Sequence, residues 1–187
     1  MESMRIVLTG TPGTGKTSIA ASLGKMLPCE VVGVNELVKR ERLYSHKENG
    51  EYVADLAKLR RALSIILKNN RNIILEGHLL CDLALPADIV IVLRCHPREL
   101  KKRLRRRNYP KSKMEGNLLS ELLDYSLINA IEHYGKRKVM QLDTTAKTSA
   151  KSILAKIHRF QKKGKMHEIR WLKRINYDLE GLGITPT

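Results

Sequence analysis

The chain has 187 residues, 42% hydrophobic and only 4% aromatic, with 35 Lys and Arg against 19 Asp and Glu for a formal net charge of +16. That length suits one compact domain with an appended tail, and its core should be built from Leu, Ile, Val and Ala. No apolar run approaches the roughly 20 residues that cross a bilayer, and no leader-like segment opens the sequence, so the expectation is a cytoplasmic protein without a membrane partner.

The charge excess favours phosphate-bearing or acidic partners, although solubility alone is an alternative. Three cysteines, Cys29, Cys81 and Cys95, have no metal-ligand spacing and read as free thiols or small buried residues.

In chain order, residues 5–9 (RIVLT) read as a buried strand. After a glycine-rich turn, a helix is expected over 16–27, with Ile19, Leu23 and Leu27 recurring every four residues and Pro28 as its stop. A second strand is expected over 30–34. Helices over 35–42 and 54–69 flank the polar stretch YSHKENGEY, where Asn49-Gly50 marks a turn. Leu56, Leu59, Leu63, Ile66 and Leu67 form an apolar stripe on the second of these helices. NIILEGH, residues 72–78, reads as a strand with a polar end, and ADIVIVLRC as a strand covered on both faces.

Pro97 opens a basic helix that NYPKSK breaks. Ser112 and Glu115 have capping-box spacing, so one long helix is expected from about 113 to 134, ended by Gly135. KVMQL supplies a fifth strand, and a helix over 148–163 closes at Gly164. Strands alternating with helices predict an α/β sandwich of three layers on about five parallel strands.

The opening turn carries the chemistry. Gly10-Thr11-Pro12-Gly13-Thr14-Gly15-Lys16-Thr17 matches G-x-x-x-x-G-K-[ST] at every fixed position, between a strand and an amphipathic helix. Glycines permit positive φ and let backbone N–H groups close around an anion, and the helix N-terminus adds positive charge. Lys16 would reach the terminal phosphates of ATP or ADP, Thr17 would ligate Mg²⁺, and Ser18 would bond the phosphate nearest the ribose.

No N-K-x-D guanine signature is present, and the chain is too short for a second ATPase module. Small nucleotide kinases remain. In them a basic lid follows the fourth strand, and the segment from Arg98 through Arg103, Arg107 and Lys113 fits that place. Phosphoryl transfer needs positioning and charge neutralisation, which gives such arginines a role. A solvated helix face is the alternative.

TGTPGTGKTS, VNELVKRERLY, ILEGHLLCDL, IVLRC and RLRRRNY occur in an order and spacing that resemble the adenylate kinase isoenzyme six family of archaea and eukaryotes, over residues 4–160. The resemblance implies a P-loop nucleoside monophosphate kinase-like fold, with a five-stranded parallel sheet carrying helices on both faces. It implies adenylate kinase and ATPase activity, maturation of the small ribosomal subunit, and binding of a small-subunit platform ribosomal protein.

Carried over by residue, Gly10, Gly13, Thr14, Gly15, Lys16, Thr17 and Ser18 would hold ATP. Arg107 and Arg103 would be lid arginines acting in catalysis beside Lys16 and His78. Residues 33–56 would bind AMP and residues 106–116 would form the lid. The family often has arginine where Lys39 stands, and lysine offers no bidentate fork, so Arg40 is a candidate substitute. The family's Asp-x-His is here Glu76-x-His78. The acid would hold Mg²⁺ through water, and His78 would orient water or relay a conformational change, or else be structural.

On this reading residues 1–164 form the kinase-like domain and 165–187 a basic extension. The extension, with Arg170, Trp171, Lys173 and Arg174, suits rRNA, or docks through Ile169, Leu172 and Ile175, or does both. A housekeeping nucleoside monophosphate kinase and a polynucleotide 5′-kinase are the alternative functions.

Overall fold

The computed structural model describes residues 4–48, 50–164, 168–174 and 182. Strand β1 (Arg5–Thr9) lies at the centre of a five-stranded parallel sheet. Around it stand β2 (Glu30–Gly33), β5 (Ile73–Glu76), β6 (Ile89–Arg94) and β7 (Val139–Asp143), in the order β2-β5-β1-β6-β7. Helices α1 (Lys16–Met26), α2 (Val34–Arg40), α3 (Leu56–Asn69), α6 (Tyr125–Tyr134) and α7 (Ala150–Lys163) cover the sheet. The sandwich expected from the sequence is the one observed.

The period of two along each strand divides the core into two layers. Val7, Ile73, Leu75, Val90, Val92 and Val139 face Leu59, Leu63 and Leu67 of α3 and Leu127 and Ala130 of α6. Ile6, Leu8, Ile74, Ile89, Ile91, Leu93 and Met140 face Ala20 and Leu23 of α1 and Ile153 and Ile157 of α7. Because both faces are buried, these strands read as unbroken apolar runs.

The polar stretch after α2, to which the sequence reading assigned no strand, forms a hairpin: β3 (Tyr44–Glu48) pairs antiparallel with β4 (Glu51–Ala54). Two expectations are corrected. The single long helix is two, α5 (Lys111–Leu122) and α6, turned at Asp124 with φ 57°. The buried Arg94 guanidinium causes the turn, donating from Nη2 to the Glu121 carbonyl at 2.9 Å and to the Asp124 carboxylate. Pro110, not Ser112, occupies the N-cap of α5.

Helices α4 (Pro97–Arg106) and α5 pack on each other around a small core of Cys95, Leu100, Leu104, Met114 and Leu118. The described part of the C-terminal extension packs on α5: Ile169, Trp171 and Leu182 are buried with Leu122, and Leu172 is half-buried against them. Ile175 lies outside the described residues. No described helix is long and apolar enough to cross a membrane.

Candidate active site: a phosphate cradle at the strand ends

Strand β1 meets β5 on one side and β6 on the other, so the chain switches direction at its carboxyl end. Open parallel sheets leave a crevice at such a point. Here it is a cavity of about 870 Å³ lined by the glycine turn, Glu76, His78, Lys39, Tyr52, Asp82 and Arg107.

The turn needs its glycines. Gly10, Gly13 and Gly15 have φ of 135°, 92° and 98°. A Cβ on Gly10 would lie 2.4 Å from the Leu93 carbonyl oxygen, and one on Gly13 would lie 2.9 Å from Leu100 of α4. Gly15 caps α1, whose first turn carries no acid. The N–H groups of Lys16, Thr17 and Ser18 have no intrahelical partner and face an anion's place.

Lys16 Nζ donates to the Gly10 carbonyl at 2.8 Å and the Thr11 carbonyl at 3.1 Å. Burial lowers its pKa to about 8, against the opposing pull of Glu76 and Glu121. Thr17 Oγ1 donates to Glu76 Oε1 at 3.1 Å. A hydroxyl and a carboxylate side by side form the hard oxygen set that suits Mg²⁺ next to a phosphate. Thr14 turns the other way: its Oγ1 donates to the Thr11 carbonyl at 2.8 Å, and its carbonyl accepts from Thr144 Oγ1 at 2.8 Å. It shapes the loop instead of lining the cavity.

His78 opens a 3-10 turn, His78–Asp82, and lines the cavity one residue beyond Gly77. Burial, reinforced by the charge of Lys16, lowers its pKa to about 4, so the ring is neutral at physiological pH.

The lid arginines separate. Arg107, the C-cap of α4, lines the cavity. Arg103 does not: its Nε donates to Glu99 at 3.2 Å, and its Nη2 donates to the Thr144 and Thr145 carbonyls at 2.8 and 2.9 Å. It ties α4 to the loop after β7, and that loop holds Thr14. Arg103 thus braces the loop against which the cradle packs.

At the other end of the cavity, Lys39 Nζ lies 5.9 Å from the Tyr52 ring and Lys47 Nζ 4.5 Å from it. Arg40 pairs with Glu41 at 2.9 Å and does not line the cavity. Lys39 keeps that place alone.

Comparison with known proteins agrees with this architecture. Residues 6–124 match the AAA domain family. A Methanocaldococcus jannaschii protein named "Putative adenylate kinase" is 40% identical over 144 residues, 76% of this chain and 77% of that protein. A Methanosarcina mazei protein of the same name is 38% identical over 187 residues, 89% of this chain and 93% of that one. The chain belongs to this archaeal protein family. Among solved structures, a gluconokinase from Sinorhizobium meliloti (TM-score 0.57, 14% identity, 86% of this chain and 94% of that one) has the same fold. So does a deoxyadenosine kinase from M. mycoides with bound dATP (TM-score 0.55, 17% identity, 83% and 99%).

Tyr52 and Val53, within the 33–56 stretch expected to bind AMP, reach the cavity on a hairpin that the sequence reading did not foresee. An Asn-Gly pair between β-forming stretches was the available signal. Asp82 accepts from Asn129 Nδ2 at 2.6 Å and Tyr125 Oη at 3.1 Å, and nothing local in the sequence announces it. Glu121, whose carboxylate is buried against Thr11 of the cradle at 2.5 Å, was hidden inside an ordinary amphipathic helix. Cys81 and Cys95 are pushed up by burial to about 11 and about 12, which leaves both thiols protonated and unreactive.

Proposed function

We propose that the protein is an adenylate kinase-type phosphotransferase that moves the γ-phosphoryl group of ATP to AMP, with a slower ATPase activity of the same site. One observation carries this reading. One cavity is lined by the glycine turn, by Asn35 and Lys39 of α2, by Tyr52 and Val53 of the hairpin and by Arg107, which supports a triphosphate site beside a second nucleotide site. The archaeal relatives bearing the adenylate kinase name support it.

The backbone amides after Gly13 and Gly15 would bind the β- and γ-phosphates, with Lys16 moving from the Gly10 and Thr11 carbonyls onto the phosphates. Arg107 would close over the transferring group. An oxygen of the AMP phosphate attacks the γ-phosphorus, the bond to the β–γ bridging oxygen breaks, and two ADP result. Thr17 and Glu76 are the residues that would hold Mg²⁺, which when bound neutralises phosphate charge. In the ATPase branch water replaces AMP. Neutral His78 accepts a hydrogen bond from that water and orients it, and the products are ADP, inorganic phosphate and a proton.

The finer role, nucleotide-dependent binding of a small-subunit platform ribosomal protein, of rRNA, or of both in ribosome maturation, rests on the family resemblance and on the +16 charge, which exceeds what one nucleotide site requires.

The test is ADP formation from ATP plus AMP beside phosphate release from ATP alone. Lys16→Ala should abolish both, and His78→Ala should reduce hydrolysis more than transfer. Transfer of label to an oligonucleotide 5′ end instead of AMP would replace the acceptor. ATP affinity unchanged in Lys16→Ala would remove the cradle assignment.

A further inference from the structure

Behind the cradle lies a buried side-chain cluster that the phosphotransfer reading does not use. Its centre is Glu121 of α5, which is 1% exposed. One carboxylate oxygen, Oε2, accepts from Thr11 Oγ1 at 2.5 Å. The other accepts from three donors: Arg94 Nε at 2.8 Å, the Cys95 N–H at 3.1 Å and the indole Nε1 of Trp171 at 2.8 Å. Arg94, equally buried, spends its remaining donors on Gln141, Asp124 and the carbonyls of Glu121 and Ile169.

This arrangement joins two parts of the molecule that are far apart in sequence. Thr11 belongs to the cradle and Trp171 to the C-terminal extension, and the same carboxylate binds both. Burial makes every bond consequential, because an oxygen of Glu121 that loses its donor has no water to replace it. A carboxylate is also a rigid plane: rotation that improves one oxygen's contact displaces the other. The Trp171 ring is fixed further by an edge contact with His96 at 5.4 Å and by Arg174 at 5.3 Å over its face.

Resting on the phosphotransferase reading, we propose that Glu121 is a positioning residue that couples docking of the C-terminal extension at Trp171 to the conformation of the nucleotide cradle at Thr11. Seating of Trp171 holds Glu121 where Thr11 is restrained, and the restrained loop is the one whose amides converge on phosphate. By reciprocity, nucleotide at the cradle strengthens docking of the extension by the same factor as docking strengthens nucleotide binding. A ligand that takes the extension would then change nucleotide affinity without entering the cavity.

Trp171 is the sole tryptophan of the chain, so intrinsic fluorescence of the full-length protein reports on the extension directly. Without nucleotide, Thr11→Val should shift Trp171 emission, whereas Thr11→Ser, which keeps the hydroxyl, should leave it as in the wild type. MgATP should change emission in the wild type and in Thr11→Ser but not in Thr11→Val. By calorimetry, Trp171→Phe should weaken MgATP binding by roughly tenfold, within the usual range of such couplings, and Thr11→Val combined with Trp171→Phe should cost less than the product of the two single effects. The KM for ATP should rise in both single variants, and kcat should change little in Trp171→Phe. Circular dichroism confirms that each variant is folded.

Emission that is identical in Thr11→Val and wild type, with calorimetric ATP binding intact, overturns the coupling. So do fully multiplicative effects in the double variant. Failure of the wild type to bind ATP at all overturns the phosphotransferase reading instead, and the nucleotide-free emission arm still judges the link between Thr11 and Trp171.

Discussion

ATP binding should take up protons as the pH rises through 8, and Lys16 is the reason. Its ammonium is desolvated in the cradle, so its pKa falls from 10.5 to about 8. The gap corresponds to about 3 kcal/mol of lost preference for the charged form. A triphosphate placed against Nζ supplies the missing counter-charge and returns the pKa to its ordinary value or above. At pH 8 about half of the free protein carries a neutral Lys16, so binding should draw in about 0.5 proton per ATP; at pH 7 the figure is about 0.1 and at pH 9 about 0.9.

The same linkage makes the association constant fall about threefold per pH unit near pH 8 and about eightfold near pH 9, where MgATP itself no longer titrates. Calorimetric titration in two buffers of different ionisation enthalpy gives the proton count from the difference in observed heat. Tight binding at pH 9 with no proton uptake would refute the reasoning, because it would mean that Lys16 is already charged in the free cradle or does not meet the phosphates.

Gly10→Ala should destabilise the fold by about 2 kcal/mol or more, since φ 135° strains any side chain and the new Cβ would sit 2.4 Å from the Leu93 carbonyl; an unchanged urea midpoint would refute the close packing of the turn on β6. His78 has a folded pKa of about 4 against 6.5 in the unfolded chain, so its contribution is present above pH 6.5 and lost as the pH falls towards 4. Urea midpoints measured across that window should fall less steeply for His78→Gln than for the wild type, and parallel curves would show that the ring titrates normally. Arg94→Met should cost about 3–5 kcal/mol, because it leaves the buried carboxylate of Glu121 without its cationic partner. Chemical denaturation monitored by circular dichroism measures it, and a loss below about 1 kcal/mol would show the cluster to be loosely held.

Where the signal in this chain is local, it could be read in advance. The cradle is a contiguous octapeptide whose glycines are demanded by backbone conformation. The parallel sheet is announced by the near-continuous apolar runs of its central strands, and α7 ends at a glycine in the left-handed region. These features follow from φ/ψ limits, residue periodicity and the physics of one turn, all of which operate within a few residues.

The tertiary structure decided what depends on partners distant in sequence. It bent α5 from α6 because Arg94, on a strand that otherwise reads as apolar, needed acceptors at Glu121 and Asp124. It took Arg103 away from the cavity, because the carbonyls of Thr144 and Thr145 lie within its reach. It paired Tyr44–Glu48 with Glu51–Ala54 in a hairpin whose Tyr52 lines the cavity. Above all it set Thr11, Glu121 and Trp171 in one hydrogen-bonded line. A buried polar group must find a partner wherever the fold provides one, so these choices belong to the packed chain and not to any stretch of the sequence.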